Sequence, residues 1–363
     1  MTPRTPRPTA RPVRRTVAAV AVAATTAVLL AGCGSSDEST TATAADGSTV
    51  PVVQVVATTS QLGDLVREVG GDAVDVHQVL QPSTDPHEYE PRPDDVTATA
   101  DAKVVFASGL GLDEWVADVA KQSGTDAPVV EVGDTVPTKL AGEEGHDHGA
   151  EGEEHAEGEE HADEAGHAEE EGHDHEGEFD PHWWHDPTNV EHAVGVVRDA
   201  IVRADPDAAP AVRRSAAAYL AKVQALDAGI EKCIATVPKA ERKLVTSHDA
   251  FNYFAGRYGI TVVGATIPSQ TTQAQPSARQ VDALTKLIRE EDVKAIFPES
   301  SVNPKLSQAI ARETGASSDL TLYGDALGEQ GSDGATYLGM ERHNADAVVR
   351  GLTGEAKGCS LPG

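Results

Sequence analysis

The chain is short of positive charge. Its 363 residues hold 29 Lys and Arg against 59 Asp and Glu, a net charge of −30 with histidines neutral. So acidic a surface argues against nucleic acid as a partner and in favour of cations. The shortage is complete over residues 143–178, which contain no Lys, no Arg and no apolar side chain able to hold a packed form. A run of that composition is expected to be a solvated, disordered loop. Long hydrophobic stretches are missing as well. The most apolar segment, 17–31, is too short to span a bilayer comfortably as a helix. No His-Glu-x-x-His occurs, so the helical two-histidine signature of zinc proteases is absent. Cysteine is limited to Cys33, Cys233 and Cys359.

What fills the basic-free run is histidine and acid. His146, His148, His155, His161, His167, His173 and His175 are half of the chain's 14 histidines, and 17 Asp or Glu residues surround them. Imidazole nitrogens and carboxylate oxygens are ligands for divalent transition metals, and the repeated His-Asp-His of 146–148 and 173–175 reads as metal-binding. Ordering so polar a loop costs chain entropy, so its binding is expected to be weak and fluxional. Capture or storage fits such a loop; a rigid centre does not.

The N-terminus reads as an export signal. Five arginines (Arg4, Arg7, Arg11, Arg14, Arg15) precede the short apolar segment, and Leu30-Ala31-Gly32-Cys33 matches a lipobox. Cleavage before Cys33 would leave it as a lipidated N-terminus that holds the protein to membrane lipid on the extracytoplasmic face. Residues 1–32 are thus a lipoprotein signal peptide and 33–49 a flexible, Ser- and Thr-rich tether. Without the signal, 24 Lys and Arg face 59 acids, a balance of −35. In an exported chain Cys233 and Cys359 are expected to form a disulfide, the other reading being two buried thiols.

From residue 50 onward, short Val- and Ile-rich runs alternate with helical segments. Runs at 52–57, 74–80, 104–107 and 129–132 are followed, after residue 240, by 244–246, 260–263, 295–297 and 320–323. Continuous apolar strands of this kind are buried on both faces of parallel sheets. The expected fold is α/β, with two lobes, each a four-stranded parallel sheet flanked by helices, joined by a long rigid helix. The lobes are placed at 50–187, including the 143–178 loop, and at 239–363, with a helix pair at 188–238. Asp205-Pro206 supplies a helix start. Tyr219, Val223, Leu226, Ile230 and Ile234 form one apolar stripe, on a helix of about 30 residues and roughly 45 Å.

Ligands of parallel α/β sheets bind beyond the carboxyl ends of the strands. There the sequence places Asp85-Pro86-His87, Asp180-Pro181-His182, Ser247-His248-Asp249 and Gly324-Asp325. Three imidazoles and one carboxylate make a tetrahedral donor set suited to zinc. A single histidine is more often a surface or satisfied core residue; the combination carries the reading. Proline next to a histidine also limits the freedom lost on ligation. Glu299, past another strand, is expected to orient a ligand imidazole through its second nitrogen or to compete with Asp325 as fourth donor.

The chain resembles the solute-binding lipoproteins of zinc and manganese ABC importers, the ZnuA-like group. The resemblance rests on Asp-Pro-His-Glu-Tyr-Glu-Pro (85–91), Asp-Pro-His-Trp-Trp (180–184), Thr-Ser-His-Asp-Ala-Phe-Asn-Tyr-Phe (246–254), Pro276-Ser277, Phe-Pro-Glu-Ser (297–300) and Tyr-Gly-Asp-Ala-Leu-Gly (323–328). It implies one metal in a cleft between the lobes, held by His87, His182, His248 and Asp325. Manganese carriers of the group tend to have glutamate at the third position. The imidazole of His248 favours Zn²⁺ over Mn²⁺, which prefers oxygen donors. The resemblance also implies an apolar residue where this chain has His185, which is expected to be a surface histidine or, second, an extra entry ligand. His77, His192 and His343 are expected to be structural or solvated.

The function so implied is an extracytoplasmic receptor, not an enzyme, that hands Zn²⁺ to a membrane permease and its ATPase as a monomer. Residues 143–178 would gather zinc at the mouth of the cleft. A manganese receptor, a surface adhesin or zinc sensor, and a zinc hydrolase using Glu299 as base are the alternatives. The hydrolase would need an open coordination position with a water.

Overall fold

The computed structural model describes residues 41–43, 49–142, 177–356 and 358–361. The signal segment, Cys33 and all of the His-rich run but Gly177 and Glu178 lie outside them. From within the stretch expected to be a tether, β1 (Thr41–Thr43) pairs antiparallel with β2 (Thr49–Pro51), which runs past the end of that stretch.

Strand β3 (Val53–Ala57) follows, then α1 (Ser60–Gly70), β4 (Val74–Gln78), α2 (Pro93–Asp101), β5 (Val104–Ala107), α3 (Trp115–Ser123) and β6 (Val129–Glu131). The four strands β3 to β6 make one sheet in the order β4-β3-β5-β6, with every pairing parallel. Its two faces use alternate residues of the same strands. Val53, Val55, Val104 and Phe106 pack toward α1 and the long helices. Val56, Val105 and Ala107 pack toward α2 and α3. Thr59 starts α1 by accepting a hydrogen bond from the Leu62 N–H.

Two helices follow, α4 (Pro187–Ala204) and α5 (Ala209–Ile234). The apolar stripe of α5 is buried along its length, from Val212 through Tyr219, Val223, Leu226 and Ile230 to Ile234. This face packs on α1 at one end of the molecule and on α9 at the other, so one apolar core runs under both lobes. The helix has 26 residues, about 39 Å, slightly shorter than its sequence indicates. Pro206–Ala208 forms a separate 3-10 turn capped by Asp205. Pro210 cannot donate to the Pro206 carbonyl, so the α-helical ladder does not extend back to Pro206. Cys233, near the end of α5, is disulfide-bonded to Cys359 across 126 residues of sequence.

The second lobe contains β7 (Lys243–Thr246), α6 (Asn252–Tyr258), β8 (Thr261–Ala265), α7 (Ala278–Glu290), α8 (Lys305–Thr314) and α9 (Tyr337–Thr353). Its sheet is less regular than the expected four strands. Among the described residues of this lobe only β7 and β8 pair as strands, in a parallel ladder whose register shifts between Leu244 and Val245. The segments around Phe297 and Leu322 join beside β7 through single parallel bridges, Thr246 to Phe297, Ala295 to Ser317 and Glu299 to Leu322. Pro298 has no N–H for the ladder, yet its carbonyl still accepts from Leu322 N–H at 2.8 Å.

Candidate metal site

Four side chains meet at the carboxyl ends of these strands. His87 sits on the 3-10 turn Pro86–Glu88 beyond β4, and His182 directly before the turn Trp183–His185. His248 follows β7, and Asp325 follows the bridged segment at Leu322. One donor atom from each lies within 4.8 Å of all the others. His182 Nε2 is 3.3 Å from His248 Nε2 and 3.4 Å from Asp325 Oδ1. His248 Nε2 is 3.2 Å and His87 Nε2 3.8 Å from Asp325 Oδ2. Donors about 2.0–2.1 Å from a tetrahedral ion stand roughly 3.3 Å apart, so the contacts among His182, His248 and Asp325 already match one cation and His87 would close in on it. His87 Nε2 and both Asp325 oxygens are buried without a hydrogen-bond partner. Such groups are costly unless something satisfies them, and a cation would.

Two of the imidazoles back on carboxylates. Asp180 Oδ1 lies 2.7 Å from His182 Nδ1. Glu299 Oε2 lies 2.7 Å from His248 Nδ1, an ion-pair contact without hydrogen-bond alignment, while Glu299 Oε1 accepts from the His248 backbone N–H at 2.9 Å. A proton kept on Nδ1 leaves the Nε2 lone pair for a cation. Gly324 makes room for this arrangement, since a Cβ there would stand 2.5 Å from Glu299 Oε2. The Gly324 carbonyl is held by Gln61 Nε2 and Trp184 Nε1, at 3.2 and 3.1 Å, which fixes the approach to Asp325.

The Asp-Pro-His repeat has a geometric basis that proline alone does not supply. Asp85 Oδ1 accepts from His87 N–H at 2.9 Å, and Asp180 Oδ1 from His182 N–H at 3.0 Å. Each aspartate thus folds an Asx turn that presents the histidine two residues on.

The electrostatics separate the donors. Burial, with His182 and His248 nearby, pushes His87 down to about 4. Burial would lower His182 too, but Asp180 and then Asp325 override it and raise the imidazole to about 9. His248 is raised well above its usual value, because Asp325 and Glu299 outweigh burial. Burial works to raise Asp325, yet the facing His248 and His182 hold its carboxyl well below the usual range.

Several residues fall elsewhere. His185 is neither a surface residue nor an entry ligand. It is fully buried, with Nδ1 2.9 Å from Glu341 Oε1 on α9 and its ring stacked on Phe251 at 4.4 Å. The ring lies in the core because Trp184 and His185 enter it together in one turn. Glu341 lies in no sequence motif. Asp180, in the Asp-Pro-His motif, meets both the backbone N–H and the ring of His182. His77 bonds the buried Asp95, His192 is exposed, and His343 meets the Thr321 carbonyl.

Known proteins resemble this chain over most of its length. The family model described as "ZnuA: Zinc-uptake complex component A periplasmic" matches residues 55–351. The manganese-binding lipoprotein MntA of Halalkalibacterium halodurans is 32% identical over 327 residues, covering 90% of this chain and 95% of its own. The metal ABC transporter substrate-binding lipoprotein SsaB of Streptococcus sanguinis is 28% identical, covering 83% of this chain and 89% of its own. Among solved structures, the periplasmic zinc binding protein TroA of Treponema pallidum superposes with a TM-score of 0.68 at 27% identity, covering 83% of this chain and 99% of its own. With the family model spanning most of the sequence, the chain belongs to the ZnuA family.

Proposed function

We propose that this protein is the extracytoplasmic receptor of a metal ABC importer. It captures a divalent transition metal between His87, His182, His248 and Asp325 and delivers it to a membrane permease driven by an ATPase. Cys33 would carry the lipid that keeps it at the membrane, in keeping with the lipoprotein relatives. The observation that supports this most is the convergence of four donors, three of them fully buried, with His87 Nε2 and both Asp325 oxygens left without a hydrogen-bond partner. Four protein donors complete a tetrahedral set, which suits binding and delivery rather than catalysis.

Zn²⁺ is the favoured cargo, because three imidazoles and one carboxylate are typical of zinc and poor in the oxygen donors that manganese prefers. Mn²⁺ is the second reading, supported by the manganese-binding name of the MntA relative. The functional test is zinc and manganese accumulation by cells lacking the protein, grown with each metal scarce. Wild type should restore zinc uptake and Asp325→Ala should not. Restoration of manganese uptake alone would reverse the metal assignment, and restoration by Asp325→Ala would remove the site from transport.

A further inference from the structure

The segment 266–273 joins two donors that lie far apart in sequence. At its start it flanks His248. Thr266 N–H donates to the Thr246 carbonyl at 2.9 Å, Ile267 N–H to the Ser247 carbonyl at 2.7 Å, and Asp249 N–H to the Ser269 carbonyl at 2.9 Å. At its end it crosses to the other lobe. The Thr272 hydroxyl donates to Asp85 Oδ2 at 2.6 Å, and the Gln273 side-chain amide donates to the His87 carbonyl. Asp85 is the residue whose other oxygen holds the His87 N–H. A path of hydrogen bonds therefore runs from the backbone at His248, through the segment, to the turn that carries His87.

His87 is the donor that most needs such support. Its side chain is 10% exposed, whereas those of His182, His248 and Asp325 are fully buried. It stands on a three-residue turn and is the farthest of the imidazoles from Asp325. Once a metal is bound, His87 is the donor with least obstructing its departure. What holds the turn in place then sets how often the coordination opens.

We propose that 266–273 is a strap that sets the residence time of the bound metal by holding His87 in the donor set, with Thr272 as the positioning residue. The proposal rests on the four-donor reading above. Release would begin when the Thr272–Asp85 bond opens and the Asp85 turn relaxes. His182, His248 and Asp325 would still hold the ion until a further donor lets go.

The test is stopped-flow release of zinc from the loaded mature protein into excess chelator. Thr272→Val keeps the shape and removes the donor. It should release zinc about tenfold faster, the scale of one hydrogen bond to a carboxylate. Thr272→Ser should restore the wild-type rate, which a packing role for the methyl group would not. In a His87→Ala background, Thr272→Val should add nothing, because the donor it positions is gone. Unchanged release from Thr272→Val, or equal acceleration with and without His87, would overturn the strap. Wild-type protein that binds no stoichiometric zinc would instead overturn the receptor reading itself.

Discussion

His182 and His248 differ from His87 in what stands behind them. Each of the first two is fully buried, with a carboxylate 2.7 Å from its Nδ1. His87 is held through its backbone, by Asp85 and by the segment crossing from the other lobe. The first arrangement fixes a ring and strengthens it as a donor. The second fixes a turn and leaves the ring able to leave with it. In the proposed site, the two kinds of support would divide holding and release between rigid donors and a yielding one.

The comparison can be broken in graded steps. Asp325→Ala should have the largest effect. It removes the carboxylate that faces all three imidazoles and should weaken zinc binding at least about a hundredfold, since supporting residues alone are worth about ten- to hundredfold. Calorimetric titration that finds affinity within a few-fold of wild type would contradict the four-donor set. Asp180→Asn and Glu299→Gln should each weaken binding by about ten- to hundredfold while the fold persists. If either is silent, the rigid donors do not depend on their carboxylates.

Proton release separates the same groups. His182, at about 9, and His248, also raised, carry protons at neutral pH when no metal is bound, whereas His87, at about 4, does not. A metal must displace those protons. Affinity should therefore rise with pH through neutrality, and fall about tenfold per unit for each proton displaced as the pH drops. Titrations in buffers of different ionisation enthalpy count the protons, and His87→Ala should leave the count unchanged. A count that falls in His87→Ala would reverse the comparison. The smallest effect is expected for Gly324→Ala. Its Cβ would press on Glu299 Oε2, and accommodating it should weaken binding about fivefold, the low end of overpacking costs. Wild-type affinity would mean that Glu299 moves freely.

Much of the site was legible because its donors fall at strand ends in short polar motifs, where parallel sheets place ligands. The reason behind the Asp-Pro-His motifs was only half legible. Proline drew attention, but the aspartate carboxylate makes the turn. Thr272 and Glu341 could not be read, since they act on residues 187 and 156 positions away and mark no local pattern. His185 was misplaced because a histidine among polar neighbours looks solvated; its buried partner comes from α9. The irregular second sheet was also hidden. A Val-, Ile- or Leu-rich run shows that a segment is buried, not that it pairs along its whole length.

The central claim is that tight binding belongs to His87, His182, His248 and Asp325, outside the His-rich run. Equilibrium dialysis of the mature protein lacking residues 143–178 tests it most directly. One zinc per chain should remain bound, and should be lost when His248→Ala is added. Loss of tight zinc binding on deletion of 143–178 alone would contradict the claim.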